Sequence, residues 1–244
     1  MGSRREQGVE NDARPSVQQL LPSDGTTDYR SRRHVAHPES MGRFMSRMPK
    51  KDVLQTYRRK RDLGRSLEPS ARRRPASSRR RPRFVVQKHD ATTLHYDFRL
   101  EAGGALKSWA VPKGPSTDPR EKRLAMPTED HPLGYATFEG VIPEGLYGAG
   151  PVIVWDTGTY RNITERGGKE VPVDRAVRDG HVAVWLEGSK LTGGFALTRT
   201  GTGKRERWVV LVKMKHERAD ARRNPVSTRP ESVLTGRPKR PHER

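Results

Sequence analysis

The chain has 244 residues, of which 31% are hydrophobic, and it carries a formal net charge of +20 with no cysteine. That apolar content is too low to pack every residue into one globule, so the composition points to one domain with long tails. The lack of cysteine excludes a disulfide framework, a thiolate metal site and a cysteine nucleophile.

Residues 1–49 are polar and rich in Arg, Ser, Gly and Pro, and read as a disordered basic tail. Residues 50–83 read as a short helix over Lys50–Arg65, with Val53, Leu54 and Tyr57 on one side, followed by an Arg/Pro/Ser-rich linker. The folded domain is placed at 84–213. There, apolar or alternating runs recur between Gly and Pro turns at Phe84–Lys88, Leu94–Leu100, Ala105–Val111, Val152–Asp156, His181–Leu186, Phe195–Arg199 and Trp208–Lys213. Such runs predict a mainly β fold, a compact antiparallel β-barrel-like domain. Glu101-Ala102-Gly103-Gly104 predicts a hairpin turn. Arg161–Gly180 reads as a polar, extended loop, and residues 214–244 as a second basic disordered tail.

Charge is segregated along this plan. Residues 1–83 hold 22 Lys/Arg against 9 Asp/Glu, residues 84–213 hold 18 against 16, and residues 214–244 hold 9 against 4. Basic flanks around a near-neutral domain suit a polyanionic partner, because each neutralised phosphate releases condensed counterions. The flanks lack the bulky apolar face that an anionic membrane requires. No apolar run reaches the ~20 residues of a membrane span, and the N-terminal residues lack the apolar core of a signal peptide. The expected location is the cytoplasm, in association with the nucleoid.

From Leu94 to Leu100 apolar and polar residues alternate, the period of a half-buried strand. Leu94, Tyr96, Phe98 and Leu100 are expected to face a core, leaving His95, Asp97 and Arg99 in a row on the other face. With His89 just upstream, two imidazoles and one carboxylate form a set able to bind manganese, zinc, iron or another divalent ion. Arg99 offers a permanently charged fork for phosphate, or an ion pair to Asp97. Lys113 and Arg123 are further candidate cations. His131, followed by a proline that restricts its backbone, is a candidate proton or hydrogen-bond donor to a leaving group, or a partner for the neighbouring carboxylates. Tyr135 can orient a substrate oxygen or serve in packing.

The glycine-rich stretch Gly145-Leu146-Tyr147-Gly148-Ala149-Gly150 lacks the Lys-Ser/Thr ending of a Walker A loop and reads as tight turns. No Lys-x-Asp-Gly nucleotidyl-transfer motif is found. These residues leave three functions open. They are a metal-assisted phosphoesterase, a two-histidine-one-carboxylate non-haem iron oxygenase, and a non-catalytic basic module that binds nucleic acid.

Longer ordered motifs carry a resemblance. Phe84-Val85-Val86-Gln87-Lys88-His89, Leu94-His95-Tyr96-Asp97-Phe98-Arg99-Leu100-Glu101 and Leu106-Lys107-Ser108-Trp109-Ala110-Val111-Pro112-Lys113-Gly114-Pro115 are followed by Lys122-Arg123-Leu124-Ala125 and Glu129-Asp130-His131-Pro132-Leu133. Phe138-Glu139-Gly140 and the segment Ile142–Gly150 complete the series. In this order they resemble the bacterial DNA ligase D 3′-phosphoesterase family, over roughly residues 53–213. The resemblance implies a manganese-dependent enzyme, tolerant of other divalent metals such as cobalt, that heals 3′ ends in strand-break repair by non-homologous end joining. A phosphodiesterase step removes a terminal ribonucleoside, and a phosphomonoesterase step then removes the 3′-phosphate.

The resemblance further implies His89, His95 and Asp97 on the metal, and Arg99, Arg123, His131 and Tyr135 around the phosphate with Lys113 beside them. Tyr57-Arg58-Arg59-Lys60-Arg61-Asp62 and Glu68-Pro69 are similar to an N-terminal motif that supports chiefly the diesterase step, which assigns Arg61, Asp62 and Glu68 to it. The implied partners are DNA or DNA/RNA primer-template 3′ ends, with separate ligase, polymerase and Ku proteins. Met126-Pro127-Thr128, Gly134 and Ser66-Leu67 depart from the family pattern.

Overall fold

The computed structural model describes residues 52–70, 80–200, 208–212 (backbone) and 220–237. The N-terminal tail expected at 1–49, and most of the linker at 71–79, lie outside the described residues. The elements in chain order are helix α1 (Gln55–Lys60), strands β1 (Arg83–Asp90), β2 (Leu94–Ala102), β3 (Ala105–Val111) and β4 (Lys122–Pro127), and a 3-10 turn at Leu133–Thr137. After these come β5 (Gly140–Ile142), β6 (Gly150–Asn162), the small hairpin β7 (Glu165–Arg166) and β8 (Lys169–Glu170), and helix α2 (Val173–Asp179). Strands β9 (His181–Gly188), β10 (Thr192–Arg199) and β11 (Trp208–Val212), then helix α3 (Pro225–Thr228), complete the set.

The sheet runs β1-β2-β3-β4-β11-β10-β9-β6, and β6 pairs back to β1, so eight antiparallel strands close on themselves. Closure leaves those strands without free edges, and side chains fill a barrel of this size. Phe84, Val86, Tyr96, Phe98, Leu100, Trp109, Trp155 and Phe195 belong to that filling. Val85, one residue from Val86, joins a second apolar cluster with Tyr57, Leu106, Tyr135, Phe138 and Val154. Successive strand residues point to opposite faces, so β1 is buried on both. Its outer face is covered by α1 and the 3-10 turn, which supply Tyr57 and Tyr135. The functional side chains lie in this outer layer.

Gly103 and Gly104 turn β2 into β3 with φ of +61° and +82°. Two successive positive φ values are what a two-residue hairpin of this hand needs, which is the turn expected there.

Four expectations are corrected. The strand around Asp97 is not half-exposed: Asp97 and Arg99 are buried, whereas Leu94, expected in the core, is 41% exposed. Lys122–Pro127 forms an unforeseen strand in which Ala125 alone is buried, so it carries no alternating signal. Residues 161–180 are not an extended loop. β6 continues to Asn162, a hairpin follows, and α2 seats Ala176 in the core beside Val173 and Val177. Helix α2 ends at Gly180, whose φ of +94° lets its amide reach the carbonyls of Ala176 and Val177.

The fourth correction concerns residues 220–237, which lie against the barrel instead of forming a free tail. Trp155 Nε1 and Lys190 Nζ each donate to the Arg229 carbonyl at 2.8 Å, and the Val233 amide donates to Val154 at 3.0 Å. Barrel side chains grip backbone carbonyls here, and backbone groups leave no trace in an apolar pattern.

Candidate active site

The register of β1 and β2 sets His89 opposite His95 and Gln87 opposite Asp97. Side chains of directly opposed residues share a face, so the i, i+2 spacing on both strands assembles one compact row. His131 joins from outside through a bridge to Leu106, with reciprocal backbone hydrogen bonds of 2.8 and 3.0 Å. Asp97 Oδ2 lies 3.5 Å from His89 Nδ1, and Asp97 Oδ1 lies 3.8 Å from His95 Nε2. One ligand atom from each of the three residues falls within a 4.8 Å span.

The imidazole orientations are set by backbone carbonyls. His89 Nε2–H donates to Gly148 and His95 Nδ1–H donates to Thr93, each at 2.8 Å. These bonds fix the tautomers that leave Nδ1 of His89 and Nε2 of His95 with lone pairs facing the Asp97 carboxylate. Lone pairs opposed to an anion repel unless a cation lies between them. The donor set therefore fits a divalent metal ion, with the outer carbonyls orienting the ligands. Burial pushes the Asp97 carboxyl up, but the adjacent Arg99 guanidinium holds the group well below the usual carboxylate range.

Arg99 is buried, and each of its nitrogens is held by a partner. Its Nε donates to Gln87 Oε1 at 2.9 Å, its Nη1 donates to Ser108 Oγ at 2.8 Å, and its Nη2 is 3.1 Å from Asp97 Oδ2. The ion pair to Asp97 is thus made, and it aims the guanidinium along the ligand row. Arg61 enters from α1's C-terminal end. Its Nε donates to Glu68 Oε1 at 2.9 Å, and its Nη2 is 3.2 Å from His131 Nε2. Arg61 Nη1, 2.8 Å from Glu129 Oε1, makes no hydrogen bond, and neither does the buried Thr128 Oγ1. Both donors line a cavity of about 200 Å³, together with the three metal-ligand candidates, Arg99, His131, Tyr135 and Tyr147. That volume is below the ~300 Å³ at which drug-sized pockets begin, and suits a small anion.

Burial, then Arg99 and Arg61, depress the His131 imidazole well below its ordinary 6.5, so the ring is neutral. The unfolded chain takes up a proton at this position below about pH 6.5 while the folded chain does not, so stability falls as pH drops through that value. His131→Gln is expected to flatten the decline in melting temperature between about pH 6.5 and 5, as thermal unfolding across buffers will show.

The cavity thus gathers Arg61, His89, His95, Asp97, Arg99, His131 and Tyr135. Glu68 stands just behind, buried, accepting hydrogen bonds from Arg61, Tyr135 and Ser66. Besides Glu68, three of the residues read from the sequence lie outside the cavity lining. Asp62 is exposed and caps a turn by accepting from the Gly64 amide at 3.2 Å. Lys113 is exposed after β3, and Arg123 on β4 pairs with Glu121.

Gln87, Ser108, Thr128, Glu129 and Tyr147 were not foreseen. Gln87 stands two residues before His89, so the strand period already placed it on the same face. Ser108 and Glu129 carry no such signal, since tertiary contact alone brings them to Arg99 and Arg61.

Residues 87–199 match the DNA ligase D 3′-phosphoesterase domain. This domain belongs to the DNA ligase D 3′-phosphoesterase family. The chain is 50% identical over 194 residues to the multifunctional non-homologous end joining protein LigD of Pseudomonas aeruginosa, covering 78% of this chain and 22% of that protein. It is 45% identical over 161 residues to LigD of Mycobacterium tuberculosis, covering 66% of this chain and 20% of that one. With LigD of Mycolicibacterium smegmatis the identity is 43% over 154 residues, covering 62% and 20%. The chain therefore spans about a fifth of the length of these relatives. The phosphoesterase match includes His89, His95, Asp97, Arg99 and His131, whereas Arg61 and Glu68 precede it.

Proposed function

We propose that this chain is a metal-dependent phosphoesterase that heals 3′ ends of nucleic acid in strand-break repair. It first removes a 3′-terminal ribonucleoside and then the remaining 3′-phosphate, leaving a 3′-hydroxyl. The observation that carries this reading is the pairing of the His89–His95–Asp97 donor set with two buried guanidinium groups in one small cavity. Among the lining groups, Arg61 and Arg99 balance Asp97 and Glu129. A divalent ion would leave two positive charges in excess, the complement of a dianionic phosphate ester. His89, His95 and Asp97 would hold the ion, manganese on this reading, which polarises a phosphate oxygen and lowers the pKa of bound water.

Arg99, locked by Gln87, Ser108 and Asp97, meets the phosphate oxygens without reorganising, which favours charge developing in the transition state. Arg61 Nη1, ion-paired with Glu129, and Thr128 Oγ1 supply donors that make no hydrogen bond within the protein. His131 is neutral in the free cavity, so donating a proton to the leaving oxygen requires the phosphate to offset the two guanidinium groups. The substrates are DNA or DNA/RNA primer-template 3′ ends, met with separate ligase, polymerase and Ku proteins at a break. Among the described residues no helix is long and apolar enough to cross a membrane, and the proposed place of action is the nucleoid.

The test is incubation with manganese and a primer-template ending in one ribonucleotide, with products resolved by length and end group. Shortening to a 3′-phosphate and then to a 3′-hydroxyl is the expected order, and no metal-dependent product would overturn the reading. Glu68 touches Arg61 and Tyr135 instead of the cavity, so it acts as a positioning residue. Glu68→Ala is expected to slow ribonucleoside removal by roughly 10- to 100-fold, the scale found for lost ligand-orienting partners. Release of a 3′-phosphate should fall less, and equal single-turnover losses on the two ends would remove Glu68's special role.

A further inference from the structure

The glycine-rich stretch Gly145–Gly150 binds no nucleotide phosphate as a Walker loop would, yet it places an aromatic ring at the cavity. Gly145, Gly148 and Gly150 take φ of +80°, +78° and +133°, which folds the stretch into successive turns. A side chain at Gly150 would meet the Asp90 carbonyl oxygen at 2.1 Å, so the loop is pressed against the end of β1. Between these glycines, Tyr147 lines the cavity and remains 52% exposed. The other exposed large apolar side chains among the described residues are Leu67, Leu94, Leu124, Met126, Val141 and Leu234, none of them aromatic.

Tyr147 is exposed but not loose. Lys60 Nζ donates to its hydroxyl at 3.1 Å and stands 4.5 Å from the ring centroid, while Arg61 Cζ stands 4.8 Å from it. Arg61 is itself fixed by Glu68. The next residue, Gly148, gives its carbonyl to His89, so the ring's position is tied to that of a metal-ligand candidate. A cavity of about 200 Å³ admits a phosphate but not the nucleoside attached to it. The nucleoside must lie at the rim, where a held, exposed aromatic ring offers a π face that any base can stack on.

We infer that Tyr147 is a stacking platform for a nucleobase flanking the phosphate held in the cavity. This rests on the phosphoesterase reading and adds to it. It makes the substrate a nucleotide end, recognised through a base of any identity, as distinct from a bare phosphate ester.

The test pairs a residue change with a substrate change, in the full chain with manganese under single-turnover conditions. Wild type, Tyr147→Ala and Tyr147→Phe are compared on primer-templates ending in a 3′-phosphate or in one ribonucleotide. Each substrate is made with and without the base on the nucleotide flanking the scissile phosphate. Tyr147→Ala is expected to lose roughly 5- to 100-fold on a base-bearing end, the range seen when stacking aromatics are cut to alanine. That loss should vanish on the matching abasic end, and Tyr147→Phe should stay near wild type.

An unchanged rate in Tyr147→Ala, or a loss equal with and without the base, would overturn the inference. The latter outcome would make Tyr147 only a support for Arg61. Wild type inactive on every end would instead refute the phosphoesterase reading itself, so the two failures are distinguishable.

Discussion

Asp97→Ala is expected to lower metal-dependent turnover of both kinds of blocked end by about a thousandfold or more. Losing a catalytic metal removes several kcal/mol of transition-state stabilisation, at ~1.4 kcal/mol per decade. Asp97 is the one anion in the donor set, and each of its oxygens faces an imidazole nitrogen at 3.5 and 3.8 Å. It also compensates the buried Arg99 guanidinium at 3.1 Å, so its removal strands a charge, at a stability cost of about 3–5 kcal/mol. Asp97→Asn keeps the volume and an oxygen that Arg99 can donate to, and separates the two effects. It should lose less stability than Asp97→Ala while binding manganese far more weakly by calorimetry.

Because the folded carboxyl titrates below its ordinary range, the stability it contributes is present above about pH 4 and is lost as pH falls towards the folded value. A well-folded Asp97→Asn protein with wild-type metal affinity and turnover would remove the residue from the metal site.

Arg99→Lys is the second large effect, and it divides binding from chemistry. The charge survives, but a single ammonium cannot at once serve Gln87, Ser108 and Asp97 from the fork geometry that Arg99 uses. The rate of the chemical step is expected to fall by about 10²–10³-fold, the scale of losing one preorganised donor to a developing oxyanion. Manganese affinity should change only slightly, since His89, His95 and Asp97 are untouched. Single-turnover rates at saturating substrate, set beside metal titrations, read both quantities. A lysine variant with a near wild-type rate would mean that Arg99 serves only to pair Asp97.

The placement of the candidate site residues was legible in the sequence where position followed strand period. His95, Asp97 and Arg99 lie on one face because β2 alternates, and His89 meets them because a tight turn sets it opposite His95. The hairpin at Gly103-Gly104 was legible for a similar reason, since only residues tolerant of positive φ fit there. The reading weakened where a residue's role depends on a distant chain segment. Lys113 and Arg123 were assigned to the phosphate site by their charge and by resemblance, but both residues lie outside the cavity lining. Asp62, next to Arg61 in sequence, points away because the chain turns beneath it.

The sequence by itself determined seven of the eight barrel strands, the row of His95, Asp97 and Arg99 and the charge division, because each follows from local apolar runs or from residue chemistry counted locally. Tertiary structure alone decided that the polar face of β2 is buried, since α1 and the 3-10 turn cover it from outside the barrel. It also decided that Gln87, Ser108 and Asp97 converge on Arg99 and that residues 220–237 close over Trp155 and Lys190. Convergence of this kind depends on barrel closure, and closure joins residues far apart in the chain that share no local pattern.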